Sequence, residues 1–166
     1  MSTIKFPKPV KYLLQLLVVV LVFVLVQQYQ KRTLISGQVP EYTAPMLQGA
    51  MFDSRDIEGK PYVLHFWASW CPICRFEQDN IQALSRDHRV ISVAMQSGER
   101  QQVQNYMQEH GLNFMTLLDG EGALASRFGV KGVPTTLLIN SQGEIVFREV
   151  GYTSEWGLRL RMWLLD

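Results

Sequence analysis

The sequence contains little cysteine and almost no net charge. Only two cysteines, Cys71 and Cys74, occur in 166 residues, which excludes the disulfide framework of a small secreted scaffold. The 16 Lys and Arg residues nearly balance the 15 Asp and Glu residues, for a formal net charge of +1. Because the chain lacks a basic stripe that could bind a phosphate backbone, we expect no nucleic-acid partner. The length accommodates one domain of ordinary size and a short additional segment.

The long apolar run of the sequence lies near the amino terminus. It extends from Tyr12 to Val26 as YLLQLLVVVLVFVLV. At 1.5 Å per residue this run covers about 22 Å, less than the roughly 30 Å of a bilayer core, so flanking residues must complete a span at 10–30. Cleavage of a signal peptide needs small residues just beyond the run, but QQYQKR follows it and the first alanine is Ala44. The sequence favours an uncleaved signal anchor over a cleaved signal peptide.

The basic residues around the apolar run predict its orientation. Three lysines precede the run and two basic residues follow it, which is a weak positive-inside bias. We therefore expect residues 1–9 in the cytoplasm, residues 10–30 as a single pass through a membrane, and the rest of the chain exported. Glycine and proline among polar residues predict a linker at 31–44 and a domain at 45–166.

The domain sequence alternates between strand and helix patterns. Tyr62–Trp67 is an apolar run rich in aromatic and β-branched residues, which predicts a buried strand, and apolar residues recur at helical spacing from Ile73 to about Arg86. The other predicted elements are a strand at 90–95, a helix at 99–110, a strand at 114–118, a helix at 123–128, strands at 135–139 and 144–150, and a helix at 154–165. This order predicts an α/β fold with a mixed central sheet and helices on both faces.

The two cysteines stand where the first predicted strand passes into a helix. Free backbone N–H groups and the positive end of the helix dipole stabilise an anion there, so Cys71 is expected to be the attacking thiolate. Pro72 suits the first helical position, where its missing N–H costs nothing. Cys74 lies further inside the helix and is expected to resolve the mixed disulfide. The pair therefore predicts thiol–disulfide exchange without a bound cofactor.

Two other functions use the same pair of cysteines. A reduced Cys-x-x-Cys can bind copper, as in a copper chaperone, and a peroxidase also reacts through a cysteine. Zinc in a tetrahedral site would need two further ligands from only three histidines, so we predict no resident metal. Peroxidase chemistry needs a single activated cysteine in a pocket for peroxide, which the paired motif matches poorly. Exchange is favoured, with copper binding and peroxidase activity as alternatives.

The segment FWASWCPIC at 66–74 resembles the thioredoxin superfamily, and more narrowly its exported TlpA/DsbE-like branch of membrane-anchored oxidoreductases. The resemblance covers about residue 45 to the carboxyl terminus, and Gly132-Val133-Pro134-Thr135 is similar to the family's cis-proline loop. It implies a thioredoxin-like fold and a surface at Trp70, Val133 and Pro134 that binds the substrate polypeptide. The stretch SRDHRVISVAMQSG and the ending VGYTSEWGLRLRMWLLD resemble the suppressor-for-copper-sensitivity D (ScsD) group, whose name connects it with copper tolerance.

The resemblance also draws attention to His65 and Glu77. His65 lies six residues before the first cysteine, where thioredoxins place a buried acid, so it is either a base in proton transfer or a core histidine with its hydrogen bonds satisfied. Glu77 lies three residues after the second cysteine, where some reductive members carry an active-site glutamate, or it is simply solvated on the helix surface. The implied partners are cysteine-containing proteins and an unidentified membrane or periplasmic redox protein.

Overall fold

The computed structural model of the chain describes residues 8–165. The chain separates into two compact units at the junction of Arg32 and Thr33. Most of the segment expected in the cytoplasm, up to residue 7, lies outside the described residues. The first unit is therefore known from a single helix.

That helix, α1 (Lys8–Lys31), corresponds to the predicted span. Of its 24 residues, the 22 from Val10 to Lys31 are long and apolar enough, by length and composition, to cross a membrane. At 1.5 Å per residue these residues extend about 33 Å, close to the thickness of a bilayer core. A helix that is apolar on all sides suits an environment of lipid chains.

The second unit consists of short strands at its start, followed by the alternating elements that the sequence predicts. In chain order its elements are β1 (Gly37–Gln38), β2 (Thr43–Pro45), β3 (Met51–Asp53), a 3-10 helix (Ser54–Ile57), β4 (Tyr62–Trp67), α2 (Pro72–Leu84), β5 (Val90–Met95), α3 (Arg100–Glu109), β6 (Met115–Asp119), α4 (Ala123–Arg127), β7 (Thr135–Ile139), β8 (Glu144–Val150) and α5 (Glu155–Trp163). The strands predicted at 62–67, 90–95, 135–139 and 144–150 have the observed bounds. Ser154, predicted to open the last helix, is its N-cap, and its Oγ accepts the Gly157 N–H.

Six of the strands form one mixed sheet in the order β1-β8-β7-β4-β5-β6, and β2 pairs with β3 in a second sheet. β4 lies parallel to β5 and antiparallel to β7. All residues of β4 and β5 are buried, as expected for central strands with continuous apolar sequences. The predicted α/β fold with a mixed sheet is confirmed.

The buried side chains form two clusters on opposite faces of the large sheet. Leu64 and Phe66 of β4 belong to the first cluster, whereas Val63 and Trp67 belong to the second. Successive side chains of a strand point to opposite faces, so the sheet separates the two clusters. α4 contributes to the first cluster, and α2, α3 and α5 contribute to the second, which also contains both cysteines. Helices therefore cover both faces, as predicted.

The segment 31–44 is not a linker, and the predicted domain start at Pro45 is wrong. The compact unit begins at Thr33. Leu34 and Tyr42 are buried in the first cluster, and β1 extends the large sheet by pairing with β8. The packing of this segment on the domain could not be predicted from the sequence. Its buried residues occur singly among polar residues, glycine and proline, without a helical or strand period.

Gly129 allows the first residues of the domain to pack closely. Thr33 Oγ1 donates a hydrogen bond of 2.9 Å to the Gly129 carbonyl, and the Ile35 N–H donates to the Phe128 carbonyl at 3.2 Å. Gly129 has a φ of +70°, in the left-handed region that favours glycine. A Cβ there would lie 1.8 Å from the Thr33 carbonyl oxygen. A side chain at this position would therefore displace the segment.

We expect Gly129→Ala to lower the free energy of unfolding by about 2–4 kcal/mol, because alanine adds left-handed strain and displaces Thr33. Gly111→Ala is the matched control: Gly111 has a φ of +65°, but a Cβ there meets nothing within 4 Å. Gly111→Ala should lower the free energy of unfolding by only ~1–2 kcal/mol, the effect of backbone strain alone. Urea unfolding of the full chain in mild detergent measures both variants, and equal losses would contradict a stabilising contact at Thr33.

Candidate active site

Cys71 lies at the junction of β4 and α2. β4 ends at Trp67 in the middle of the sheet, between β5 and β7. Cys71 is the N-cap residue of α2, with an extended φ of −90° and ψ of 112°, and Pro72 opens the helix. Proline fits there because its missing N–H would have no helical partner. The helix start predicted at the cysteines is confirmed.

Cys71 and Cys74 form a disulfide, with their Cα atoms 5.3 Å apart. Both residues are buried. The Cys74 N–H lies 3.2 Å from Cys71 Sγ and is directed at it. When the pair is reduced, this N–H and the helix N-terminus stabilise negative charge on Cys71. The geometry thus makes Cys71 well placed to be a thiolate.

The loop before β7 faces the disulfide. The Val133–Pro134 peptide bond is cis, and the Val133 carbonyl oxygen lies 3.4 Å from Cys71 Sγ. Two hydrogen bonds fix the loop: the Gly151 N–H donates to the Pro134 carbonyl at 2.8 Å, and Thr135 Oγ1 donates to the Gly132 carbonyl at 2.8 Å. The residues that the resemblance assigns to substrate binding are therefore brought next to the reactive sulfur.

Trp70 is exposed but fixed in place. Its side chain is 59% exposed, and its indole N–H donates a 2.9 Å hydrogen bond to the Gln96 carbonyl. Gln96 adopts a φ of +47°, which is uncommon for a residue other than glycine, and its N–H donates to the Asp119 carbonyl at 2.9 Å. Sequence reasoning missed Gln96, because nothing in the sequence indicates a left-handed glutamine after β5.

His65 is buried within β4, at 2% exposure. Its Nδ1 forms a 2.9 Å hydrogen bond with Thr136 Oγ1 on the paired strand β7. Burial lowers the pKa of His65 to about 3, so its ring is neutral at neutral pH and a weak base. These contacts favour the core-histidine interpretation over proton transfer.

Glu77 is fully buried, so the interpretation as a solvated surface residue is wrong. The Thr153 N–H donates to Glu77 Oε1 at 3.0 Å, whereas Oε2 has no hydrogen-bond partner among the described residues. Asn80 Nδ2 donates to the Thr153 carbonyl at 3.1 Å, which fixes the covering segment to α2. Burial raises the pKa of Glu77 to about 8, against the smaller opposing effect of the Thr153 N–H. The carboxyl is therefore mostly protonated at neutral pH.

A groove of about 680 Å³ begins at Cys71. Trp70 and Phe76 line it from the α2 side, and Tyr106 of α3 and His110 at the end of α3 line it as well. The sequence analysis assigned no functional role to Phe76, Tyr106 or His110. Their meeting depends on how two helices pack on the sheet, which helical periodicity alone does not specify.

The reactive chemistry of the site belongs to the two sulfurs, which can alternate between dithiol and disulfide. Within residues 8–165, no group of three or more His, Cys, Asp or Glu side chains is arranged to hold a metal ion. The expectation that the protein uses no bound cofactor stays a prediction.

We expect the free energy of unfolding to depend on pH through the ionisation of the Glu77 carboxyl. Its folded pKa of about 8 exceeds its ordinary value of 4.5, so the folded state binds the proton more tightly than the unfolded chain. The free energy of unfolding of the oxidised protein should therefore fall between about pH 4.5 and 8, by up to ~1.4 kcal/mol per pH unit. Glu77→Gln should lack this fall, and the exposed control Glu121→Gln should follow the wild type. Urea unfolding at each pH measures it, and parallel curves for wild type and Glu77→Gln would contradict the assignment.

Comparison with known proteins supports the same chemistry. Residues 35–157 match the Redoxin family. The chain is 30% identical over 164 residues to a thioredoxin-like protein of Haemophilus influenzae. The aligned region covers 98% of each chain. It is 35% identical over 122 residues to the thiol:disulfide interchange protein DsbE of Yersinia pestis, covering 71% of this chain and 65% of that protein, slightly less than two thirds. A solved structure of a secreted Mycobacterium tuberculosis disulfide oxidoreductase homologous to E. coli DsbE has a TM-score of 0.65 at 29% identity, over 75% of this chain and 96% of that one.

The family match and the folded domain agree in extent. The match begins at Ile35, within the segment that packs onto Gly129, and it includes both cysteines and the cis-proline loop. The fold, the disulfide at a helix N-terminus and the relatives lead to one conclusion. This chain belongs to the Redoxin family of thioredoxin-like proteins and is a thiol–disulfide oxidoreductase of the DsbE-like kind.

Proposed function

We propose that the protein exchanges disulfides with cysteine-containing polypeptides outside the cytoplasm, while α1 anchors it in the bacterial inner membrane. The observation that carries this proposal is the position of Cys71, which is bonded to Cys74 at the start of α2 and lies 3.4 Å from the Val133 carbonyl. An extended polypeptide that pairs with the Val133 backbone would bring its own sulfur to Cys71. Trp70 and Pro134 would contact the same polypeptide.

The exchange proceeds in two displacement steps at sulfur. In the reducing direction, the Cys71 thiolate attacks one sulfur of a substrate disulfide, forms a mixed disulfide and releases the other substrate sulfur as a thiolate. The Cys74 thiolate then attacks Cys71 Sγ, which releases the substrate thiol and leaves the Cys71–Cys74 disulfide. Two electrons pass from the protein to the substrate. A second dithiol protein, in or near the membrane, reduces the pair again by the reverse steps.

Glu77 is the proposed partner of Cys74 in proton transfer. It lies three residues beyond Cys74 on α2, slightly less than one helical turn of 3.6 residues. Its pKa of about 8 is close to the ordinary ~8.5 of a thiol, so the transfer of a proton between the two groups costs little free energy. The buried Oε2, which has no hydrogen-bond partner among the described residues, is the atom that can hold or release this proton.

The location and subgroup are finer parts of the proposal. Exposed apolar side chains along α1 support an anchor, and the lysines before it support a periplasmic domain. Likeness to the ScsD group, and with it a role in copper tolerance, rests on the sequence stretches alone. A copper chaperone and a redoxin-type peroxidase are the alternatives. Insulin reduction and copper titration of one reduced sample would separate exchange from copper carriage.

We expect Cys74→Ser to accumulate mixed disulfides through Cys71, because attack still occurs but resolution does not. The trapped adducts should exceed those of Cys71→Ser by about tenfold or more, since the helix start stabilises a thiolate at Cys71. Non-reducing gels of alkylated, substrate-treated protein measure the adducts. More adduct with Cys71→Ser would reverse the assigned roles.

We expect the protein to stay in the membrane fraction after an alkaline carbonate wash, because α1 is apolar along the length of a bilayer core. Protease added to spheroplasts should digest the domain, whereas a cytoplasmic marker protein should survive. Release of a shorter soluble form would contradict the anchor. Protection of the domain in intact spheroplasts would contradict the orientation.

A further inference from the structure

The groove at Cys71 is lined by both aromatic and polar side chains. Three aromatic side chains line it, those of Trp70, Phe76 and Tyr106. Arg75 and Asp79, both exposed, carry opposite charges at its edge. Aromatic side chains together with polar and charged ones are common on surfaces that bind a polypeptide. The opposite charges give the groove no preference for a substrate of one sign.

The aromatic lining is fixed even without a ligand. The Trp70 indole N–H is bonded to the Gln96 carbonyl, and the Tyr106 hydroxyl donates to Gln78 Oε1 at 3.0 Å. The Tyr106 ring centroid lies 5.4 Å from that of Trp67 and 4.2 Å from that of His110, which stacks on it. A binding surface that is ordered beforehand loses little conformational entropy when a ligand docks. Phe76 differs, because its ring is 79% exposed and contributes surface that only a ligand would cover.

We propose that this groove binds the residues next to the substrate's reactive cysteine and selects substrates that carry a large apolar or aromatic side chain there. The inference rests on the proposed exchange function, because the mixed disulfide is what identifies the occupant. The substrate sulfur is bonded to Cys71, and Cys71 itself lines the groove. At about 3.3 Å per residue, the two or three residues beside the substrate cysteine can extend along the groove that Phe76 and Tyr106 line.

The size of the groove fits this occupant. Its volume of about 680 Å³ lies within the roughly 300–1,000 Å³ range of sites that enclose organic ligands. Such a space admits an aromatic side chain with its neighbours and is larger than the substrate sulfur alone requires. Phe76 and Tyr106 are therefore specificity residues that touch the substrate, while the sulfurs carry out the exchange.

Two matched peptides test the proposal. Each peptide carries one cysteine as a mixed disulfide with thionitrobenzoate. The peptides differ only at the position two residues before the cysteine and the position two residues after it. Both positions are phenylalanine in one peptide and serine in the other. The reduced full chain in lipid nanodiscs, in excess over the peptide, reduces the mixed disulfide in a single turnover, which leaves the Cys71–Cys74 disulfide and releases one coloured thionitrobenzoate and one peptide thiol. The dependence of this single-turnover rate on the chain concentration gives kcat and KM for each peptide. We expect a kcat/KM about five- to tenfold higher for the phenylalanine peptide, mainly through a lower KM.

Phe76→Ser should reduce this preference to about twofold or less. Trp163→Ser is the matched control, because Trp163 is 72% exposed on α5 and does not line the groove. It should retain the full preference. Equal kcat/KM values for the two peptides with the wild-type protein would overturn the groove proposal and leave the exchange function standing. A preference that survives Phe76→Ser, or one that Trp163→Ser also abolishes, would overturn it as well. Failure to react with either peptide would overturn the proposed function itself.

Discussion

The pairing of β4 with β7 is the constraint on which the active site depends. Phe66 lies opposite Thr135 in this antiparallel pair, so the end of β4 and the start of β7 meet at one edge of the sheet. The chain leaving β4 reaches Cys71 within four residues of Trp67, and the chain entering β7 has just passed through Val133 and Pro134. A shift of one residue in this register would turn the side chains of β7 to the opposite face. It would also move the Val133 carbonyl away from Cys71.

Burial alone does not determine what two buried titratable residues near the cysteines, His65 and Glu77, can do. His65 and Glu77 are both withdrawn from water, and burial pushes the pKa of each towards its neutral form. His65 has a hydrogen-bond partner in Thr136 and a pKa far below neutral, so it has no reason to exchange a proton. Glu77 keeps one oxygen without a partner among the described residues and a pKa near that of a thiol. The hydrogen-bond partners and the pKa therefore distinguish a residue that only packs in the core, His65, from one that can transfer a proton, Glu77.

The sequence sufficed for the parts of the site that local patterns encode. The central strands are continuous apolar runs, and a cysteine followed by proline after such a strand marks a helix start, so β4, α2 and the position of Cys71 could be predicted. The resemblance supplied the Val133–Pro134 loop. Glu77 could not be predicted as buried, because the residue that covers it, Thr153, is 76 positions away.

The same limit explains the other errors and omissions. The segment 31–44 was interpreted as a linker because the contact that holds it on the domain joins Thr33 to Gly129, 96 residues further along the chain. Gln96 adopts a backbone conformation that its residue type does not suggest. Tyr106 and His110 reach the groove only through the packing of α3 beside α2. Contacts between distant parts of a chain leave no local pattern, and these are the contacts that complete the site.

The early start of the folded domain has a consequence for proteolytic shedding. A membrane protein with a flexible stalk can be cut there and release an active soluble domain. In this chain, the residues that would form such a stalk include Leu34 and Tyr42, which are part of the hydrophobic core, and β1, which covers the edge of β8. A cut between β1 and β2 would strip an edge strand from the sheet and expose apolar surface. A cut that leaves the whole folded domain intact must therefore fall before Leu34, just after the end of α1.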